Sequence, residues 1–466
     1  MKNLLYLKAL FSKNIIEVKD CVFFERGNDP KTYFRETQDD LTFGYKSKNR
    51  LEYLNVKVDF IQKKVIVERD YKSSLIIYCF FDGYTLLLSD SFLDMKEFCT
   101  NENFDKDLFE SSLFAEDTSS KTIFKNVTIL FPERKYVFSI LSADCELVSF
   151  SPTIDDFTLD MLPDYYEAEY GKQNIAYEVS GGKDSSLLPI ITKLKHEFNA
   201  SDFMYGLKFT GVDGETQMAR IHNLSRILGV PYDYMDLDSD VYILNQYDSI
   251  DTFREFNFDP YKSALTKLKQ ILVKHNSTIS FNGLGGDESF LRKFSIGDDT
   301  GNENNQIFDK IFQSRVKRSV YSSENSTIFS PSVYSAIMVC SNSFIRDGIW
   351  RVSPFQDVNT LNYLQNLKTT KKDFFKSFYN IFEEENFAEI FQNNESFQDF
   401  FRRSVNNSKF KEEMLKMCKS PRFNKYFDMK IVEKVLEDEI SPEAERSKFR
   451  LVNAYHFYKM IELFVE

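Results

Sequence analysis

The chain has 466 residues, enough for two or three domains whose cores need no cross-links. Hydrophobic residues make up 42% and charged residues 28%, an ordinary balance for a globular protein, and 47 Phe and 25 Tyr against one Trp predict a heavily aromatic core. A net charge of −12 argues against general nucleic-acid binding, which needs a basic face to meet phosphates. Six scattered cysteines with no CxxC pair, beside four histidines, argue against a zinc site. With no disulfide framework, no secretory segment and no apolar run near the about 20 residues that span a bilayer, a soluble cytoplasmic protein is expected.

Alternating or continuous apolar runs predict strands over residues 51–60, 63–69, 74–81 and 84–90, with Asp82-Gly83 turning the chain between the last two. Two more are expected over 122–131 and 135–141. Strands so closely spaced, with little helix between them, imply packed antiparallel sheets and a first domain of residues 1–150. The texture changes at residue 151, where two prolines and a cluster of acids over 151–170 read as a linker entering a helix. Strands over 174–180, 202–209 and 277–283 then alternate with helices over 187–198, 216–229 and 266–275. That alternation predicts βαβ units and a parallel sheet, so the fold class is α/β with a second domain of residues 151–466. Residues 295–330 read as an excursion, and the chain after Tyr334 as mostly helical to its end.

The chemistry concentrates in two glycine loops. Residues 180–186, SGGKDSS, follow a strand and open a helix. Gly181 and Gly182 let backbone N–H groups turn toward an anion, and the helix N-terminus behind them adds partial positive charge. Ser180, Ser185 and Ser186 offer hydroxyl donors to phosphate oxygens, and Lys183 a cation. Asp184 repels phosphate by itself, but suits Mg²⁺ bridging to it. An ordinary Ser/Gly turn capping a helix is the plain alternative. The second loop lies within residues 280–290, SFNGLGGDESF, again after a strand. Gly283, Gly285 and Gly286 permit close backbone approach around Leu284, and Asp287 and Glu288 follow at once. A Gly-rich acidic loop alone is more often a surface turn. In a parallel sheet, however, both strands end on the edge where ligands bind, so Asp184 and Asp287 are expected to share one Mg²⁺.

These motifs resemble the asparagine-synthetase-like amide ligases, the group of asparagine synthetase B, the β-lactam synthetases and the lasso-peptide cyclases. The segment 208–238, with Glu215 and its LGVP step, resembles that family's second strand and helix. RVSPFQD (351–357) resembles its R-x-P-F-x-D helix entry, and residues 451–464 its closing helix. Residues 69–90 and 122–138 resemble strands of the amidotransferase domain. The resemblance implies an N-terminal Ntn-amidotransferase-like antiparallel β-sandwich. It implies, after it, an ATP-pyrophosphatase domain with a parallel sheet and a helical C-terminal region. It also implies ATP and Mg²⁺, adenylation of a carboxylate with release of pyrophosphate, and attack by an amine. Val179 and Phe209 would sit beside the adenine, and Gly283 and Leu284 beside the ribose and α-phosphate. The substrate would be a small molecule or peptide bearing the carboxylate, and the resemblance allows a partner protein of the same biosynthesis.

Three positions depart from the family. The chain begins Met1-Lys2, where glutamine-using members present a cysteine nucleophile, so glutamine hydrolysis is not expected. Leu284 stands where relatives often carry a group able to move a proton. Asn393 or Asn394 falls where a charge-balancing lysine belongs, leaving Lys371, Lys372 or Lys376 as substitutes, with Lys372 the one chosen. Two other readings stay open: a degenerate nucleotide-binding scaffold, and a tRNA-modifying enzyme, since SGGKDS loops also resemble those of tRNA thiolases and lysidine-type synthetases.

Overall fold

The structure is a computed structural model that describes residues 5–13, 15–23, 32–46, 53–69, 75–114, 121–132, 134–148, 157–170, 174–209, 212–237, 243–258, 260–286, 341–367, 374, 377–378, 397–438 and 441–465. Eleven strands come first: β1 (Leu5–Phe11), β2 (Ile16–Phe23), β3 (Thr32–Glu36), β4 (Asp40–Lys46), β5 (Tyr53–Asp59), β6 (Lys64–Arg69), β7 (Ile77–Phe81), β8 (Thr85–Ser89), β9 (Val127–Leu130), β10 (Arg134–Ser139) and β11 (Ser142–Leu147). They form two antiparallel sheets, ordered β2-β1-β8-β7-β9 and β11-β10-β6-β5-β4-β3. The inward residues of β1 (Leu5, Leu7, Ala9, Phe11) meet Phe43, Val56, Val58, Val65 and Val67 of the other sheet in one core. The turn expected at Asp82-Gly83 is present: Gly83 has a φ of 96° and the Asp82 carboxylate accepts the N–H groups of Tyr84 and Thr85. Residues 122–126, expected as strand, instead form a turn, and β9 begins only at Val127.

The continuous apolar runs of β7 and β8 have a physical cause. Ile77, Cys79, Leu86 and Leu88 point into the inter-sheet core, while Tyr78, Phe80 and Leu87 point into a second core on the sheet's other side. Helices from both ends of the chain close that face. Helix α1 (Lys106–Phe114) contributes Phe109 and Leu113, and the helices Ser408–Lys419, Met429–Glu437 and Pro442–Phe464 contribute fourteen more of its buried residues. Ring contacts knit them together, with Phe92 5.2 Å from Phe464 and Phe109 5.6 Å from Phe423. The segments on either side of residue 150 therefore share one hydrophobic cluster.

The third sheet is parallel: β12 (Ile175–Glu178), β13 (Phe203–Phe209), β14 (Tyr232–Leu237), β15 (Ile279–Phe281) and β16 (Trp350–Val352) lie in the order β14-β13-β12-β15-β16. Helix α2 (Leu162–Tyr170) precedes these strands in sequence, α3 (Lys183–Lys195) and α4 (Val212–Leu228) follow β12 and β13, and α5 (Lys262–Lys274) packs on β13 and β14. Strand β16 interrupts the mostly helical segment expected after Tyr334. Three residues are too few to carry a periodic signal, and pairing with β15 fixes them as strand. The excursion expected over 295–330 lies outside the described residues. No helix among the described residues is long and apolar enough to cross a membrane.

A buried ionic network joins the parallel sheet to the antiparallel ones. Arg346 donates through Nε to Asp90 Oδ2 at 3.0 Å and through Nη1 to Glu255 Oε1 at 3.2 Å, and Lys262 sits 2.9 Å from the same Glu255. Asn342, fully buried, donates to the carbonyls of Ile76 and Asp90 and accepts the Ile76 N–H at 2.7 Å.

His456, on the last helix, is buried among Phe253, Phe258 and Phe457. Its Nε2 lies 2.9 Å from the Phe256 carbonyl and its Nδ1 3.2 Å from the Tyr247 hydroxyl. A carbonyl only accepts, so Nε2 carries the proton and Nδ1 accepts. Burial pushes the imidazole pKa down to about 4, the Phe256 bond opposing and Lys262 adding to the shift. The unfolded chain thus binds more protons than the folded one between the free value of 6.5 and about 4. This contribution is whole above that window and is lost as pH falls through it, on the order of 3 kcal/mol in all. Urea midpoints measured from pH 7 to pH 4 should therefore fall, and His456→Gln should flatten that slope. A slope unchanged by the substitution would assign the acid sensitivity to other groups.

Candidate functional site

Strand β12 is where the sheet reverses direction. The chain leaves it to build β13 and β14 on one side, then returns to lay β15 and β16 on the other. At such a switch point the loops after neighbouring strands diverge and leave a crevice at the strands' C-terminal ends. The two loops flanking this crevice are those that follow β12 and β15, and they carry the two glycine motifs.

The first loop is a turn held by its own hydroxyls. Gly181 has a φ of 73°, a conformation suited to glycine, and Gly182 caps α3 in an extended conformation with no side chain over the helix end. The Ser180 N–H donates to Ser185 Oγ at 3.1 Å, the two hydroxyls lie 3.0 Å apart, and Ser185 Oγ reaches the Gly182 carbonyl at 3.3 Å. The Ser180 and Ser185 hydroxyls, expected as ligand donors, thus also shape the turn. Ser186 is buried, and its Oγ has no hydrogen-bond partner among the described residues. Lys183 is exposed and Asp184 half-buried at the start of α3. The first-turn amides of a helix have no carbonyl behind them to bond, so this 13-residue helix presents its positive end at the loop.

The second loop sits directly on the first. A Cβ on Gly283 would lie 2.5 Å from the Ser185 amide nitrogen, and one on Gly286 would lie 2.4 Å from Asp184 Cγ. No L side chain fits either approach without displacing a loop, which explains why both positions are glycine. Gly285 takes a φ of 88°, and the Gly286 N–H closes the turn on the Gly283 carbonyl at 3.2 Å. Asn282, missed in the sequence, organises this loop. It is 3% exposed, its Oδ1 accepts the Leu284 N–H at 3.0 Å and the Ser353 hydroxyl at 2.7 Å, and its own N–H bonds Val352. The Asn282-Gly283 pair was a turn signal available in the sequence.

Strand β13 and helix α4 form a third wall. Gly214 lies against the Phe209 carbonyl, and the side-chain amide of Gln217 donates to the Ser180 carbonyl. Val179 and Phe209 are both buried, but their side chains enter cores on opposite faces of the sheet. Glu215 is exposed on α4. Just below the first loop, Arg351 holds Glu178 with both nitrogens of its fork (2.9 and 3.1 Å to the two carboxylate oxygens), spanning β15 from β16 to the end of β12. Tyr205 donates to the same carboxylate at 3.2 Å, and burial, reinforced by the Glu178 charge, pushes the phenol well above its ordinary pKa. Glu178 carried no sequence signal, because its partner lies far along the chain. The R-x-P-F-x-D segment forms a helix entry as expected: Pro354 and Phe355 are buried, and the Asp357 carboxylate caps helix Val358–Asn366 through the Asn359 N–H.

Asp287, Glu288, Lys371, Lys372, Lys376, Asn393 and Asn394 lie outside the described residues. Among the described residues no group of three or more His, Cys, Asp or Glu gathers to hold a metal.

No family model matches the chain, and no curated protein matches it. Among solved structures, the U34-tRNA thiolase NcsA from Methanococcus maripaludis, solved with its 4Fe-4S cluster, is similar to this chain at 10% identity. The match covers 47% of this chain and 70% of that one, with a TM-score of 0.22. A likeness so slight decides nothing about chemistry.

The contact between the loops is open to a direct check. Gly283→Ala should cost about 1–3 kcal/mol of stability, because its neighbour is backbone and cannot swing away. Thermal or urea denaturation reads this, and a variant as stable as the parent would mean the loops do not pack as described.

Proposed function

We propose that the chain is an ATP-dependent ligase of the asparagine-synthetase-like kind, which adenylates a substrate carboxylate, releases pyrophosphate and joins the activated acyl group to an amine. The observation that carries this reading is the seating of the GLGG loop on the SGGKDSS loop at the switch point of a parallel sheet. The N-terminus of α3 opens there with its first-turn N–H groups, the arrangement that stabilises charge developing on a departing pyrophosphate. Ser186 Oγ, buried and without a partner among the described residues, suits a phosphate oxygen. Asp184 suits Mg²⁺, which takes one or two protein carboxylates and completes its shell with phosphate oxygens and water. Its contact with Gly286, the chain neighbour of Asp287, supports a role for both carboxylates. When bound, Mg²⁺ would neutralise charge on the leaving pyrophosphate.

In this reading residues 1–150 form a degenerate amidotransferase-like domain without glutaminase activity, and residues 151–466 the ligase. The amine comes from the substrate itself or from a second substrate. Ring closure within one molecule needs only correct positioning, not an ammonia source. Leu284 cannot move a proton, and Lys372 is the residue assigned to balance charge on the adenylate.

The test is product analysis with ATP, Mg²⁺ and a panel of amino acids and peptides. AMP and pyrophosphate should form in equal amounts, and Asp184→Ala and Asp287→Ala should each lower turnover by at least about a hundredfold. Formation of ADP alone would exclude adenylation, and nucleotide binding without any turnover would favour a scaffold. Full activity in either Asp variant would remove that residue from the metal site.

A further inference from the structure

Gln217 stands apart from the loop residues assigned above. It lies in the second turn of α4 and is 2% exposed. Its Nε2 donates to the carbonyl of Ser180, the first residue of the SGGKDSS loop. A carbonyl accepts only, so this contact fixes the amide's orientation, with the NH₂ toward Ser180 and the oxygen turned away. That oxygen, Oε1, is buried and has no hydrogen-bond partner among the described residues. Methionine would fill the same volume without burying a bare acceptor, so the position carries a cost that packing does not repay.

The chemistry of Oε1 narrows what would satisfy it. Ser186 Oγ, another buried atom without a partner among the described residues, can donate to a phosphate. Oε1 cannot: it accepts only, and the oxygens of an ionised triphosphate do the same. Within a nucleotide the donors are the exocyclic amine of the base and the ribose hydroxyls. We infer that Gln217 Oε1 accepts a hydrogen bond from the nucleoside portion of ATP, making Gln217 a specificity-determining residue of the site. This rests on the ATP-dependent reading given above. It adds a division of labour, in which one amide braces the loop through its nitrogen and reads the ligand through its oxygen.

The experiment is equilibrium binding by calorimetry, on the full chain with Mg²⁺, of four nucleotides: ATP, purine riboside triphosphate (no 6-amino group), 2′-deoxy-ATP and 3′-deoxy-ATP. One of the three analogues should bind the parent about tenfold more weakly than ATP, and which one it is separates the base from the ribose as the donor. In Gln217→Met that penalty should vanish, with ATP weakened to the level of the analogue. The inference is overturned if all four bind the parent alike, or if the penalty survives in Gln217→Met. It is also overturned if the substitution weakens all four equally, since a purely structural brace predicts that. Should Gln217→Met fail to fold, the comparison on the parent still decides. Should no nucleotide bind the parent at all, the ATP reading falls and this inference falls with it, whereas ATP binding without discrimination removes the inference alone.

Discussion

Arg346 is a cation almost without water. Its side chain is 3% exposed, between Asp90 at 0% and Glu255 at 3%, and the attraction of both carboxylates outweighs the cost of burying it charged. Removing one partner from such a pair leaves a bare buried charge and costs about 3–5 kcal/mol, whereas a surface pair is worth about 0–1 kcal/mol. This network therefore constrains geometry where the surface bridges do not. It pins the segment leading into β16 against the end of β8, helped by Asn342 on the Ile76 and Asp90 backbone and by Trp350 against Tyr45. Strand β16 then has one place to lie, beside β15, and from there Arg351 reaches Glu178 beneath the first loop. The floor of the candidate site is thus positioned from the antiparallel sheets.

What could be read from the sequence was what is local. The Asp82-Gly83 hairpin, the strand–loop–helix around SGGKDSS and the helix entry at RVSPFQD each depend on residues within a few positions of one another, and each formed as expected. The meeting of the two glycine loops was also legible, because a parallel sheet brings its strand ends to one edge whatever the intervening chain does. What was not legible is tertiary. Glu178, Gln217 and Asn342 are ordinary polar residues in sequence and acquire their roles from partners far along the chain. Strand β16 is three residues long and has no period to detect. The start of β9 slipped because Ile123 and Phe124 read as a continuation of the strand that follows, whereas the Asn126 backbone, at a φ of 64°, turns the chain there instead.

The site also refines how an anion would be met. Serines in a glycine loop invite a picture of hydroxyls pointing at phosphate, yet Ser180 and Ser185 bond each other and the turn. Recognition would then fall chiefly to the N–H groups at the start of α3, which are fixed by the fold and need no reorganisation when charge arrives. The glycines at 283 and 286 serve the same end, since any side chain there would hold the second loop off the first.

The double-sided burial of β7 and β8 has a consequence for how the chain is made. Tyr78 and Phe80 pack on Phe92 and Phe98 of the turn that follows β8, and the cluster around them is completed by residues 401–464. A chain emerging from the ribosome N-terminus first can close the inner core between its two antiparallel sheets early, but the aromatic cluster on the outer face of one sheet stays incomplete until the far end is synthesised. Through that interval the nascent protein displays a sticky aromatic surface, the condition under which chains recruit chaperones or aggregate. The aromatic wealth of the sequence is thus a hazard of birth as well as the cement of the finished molecule.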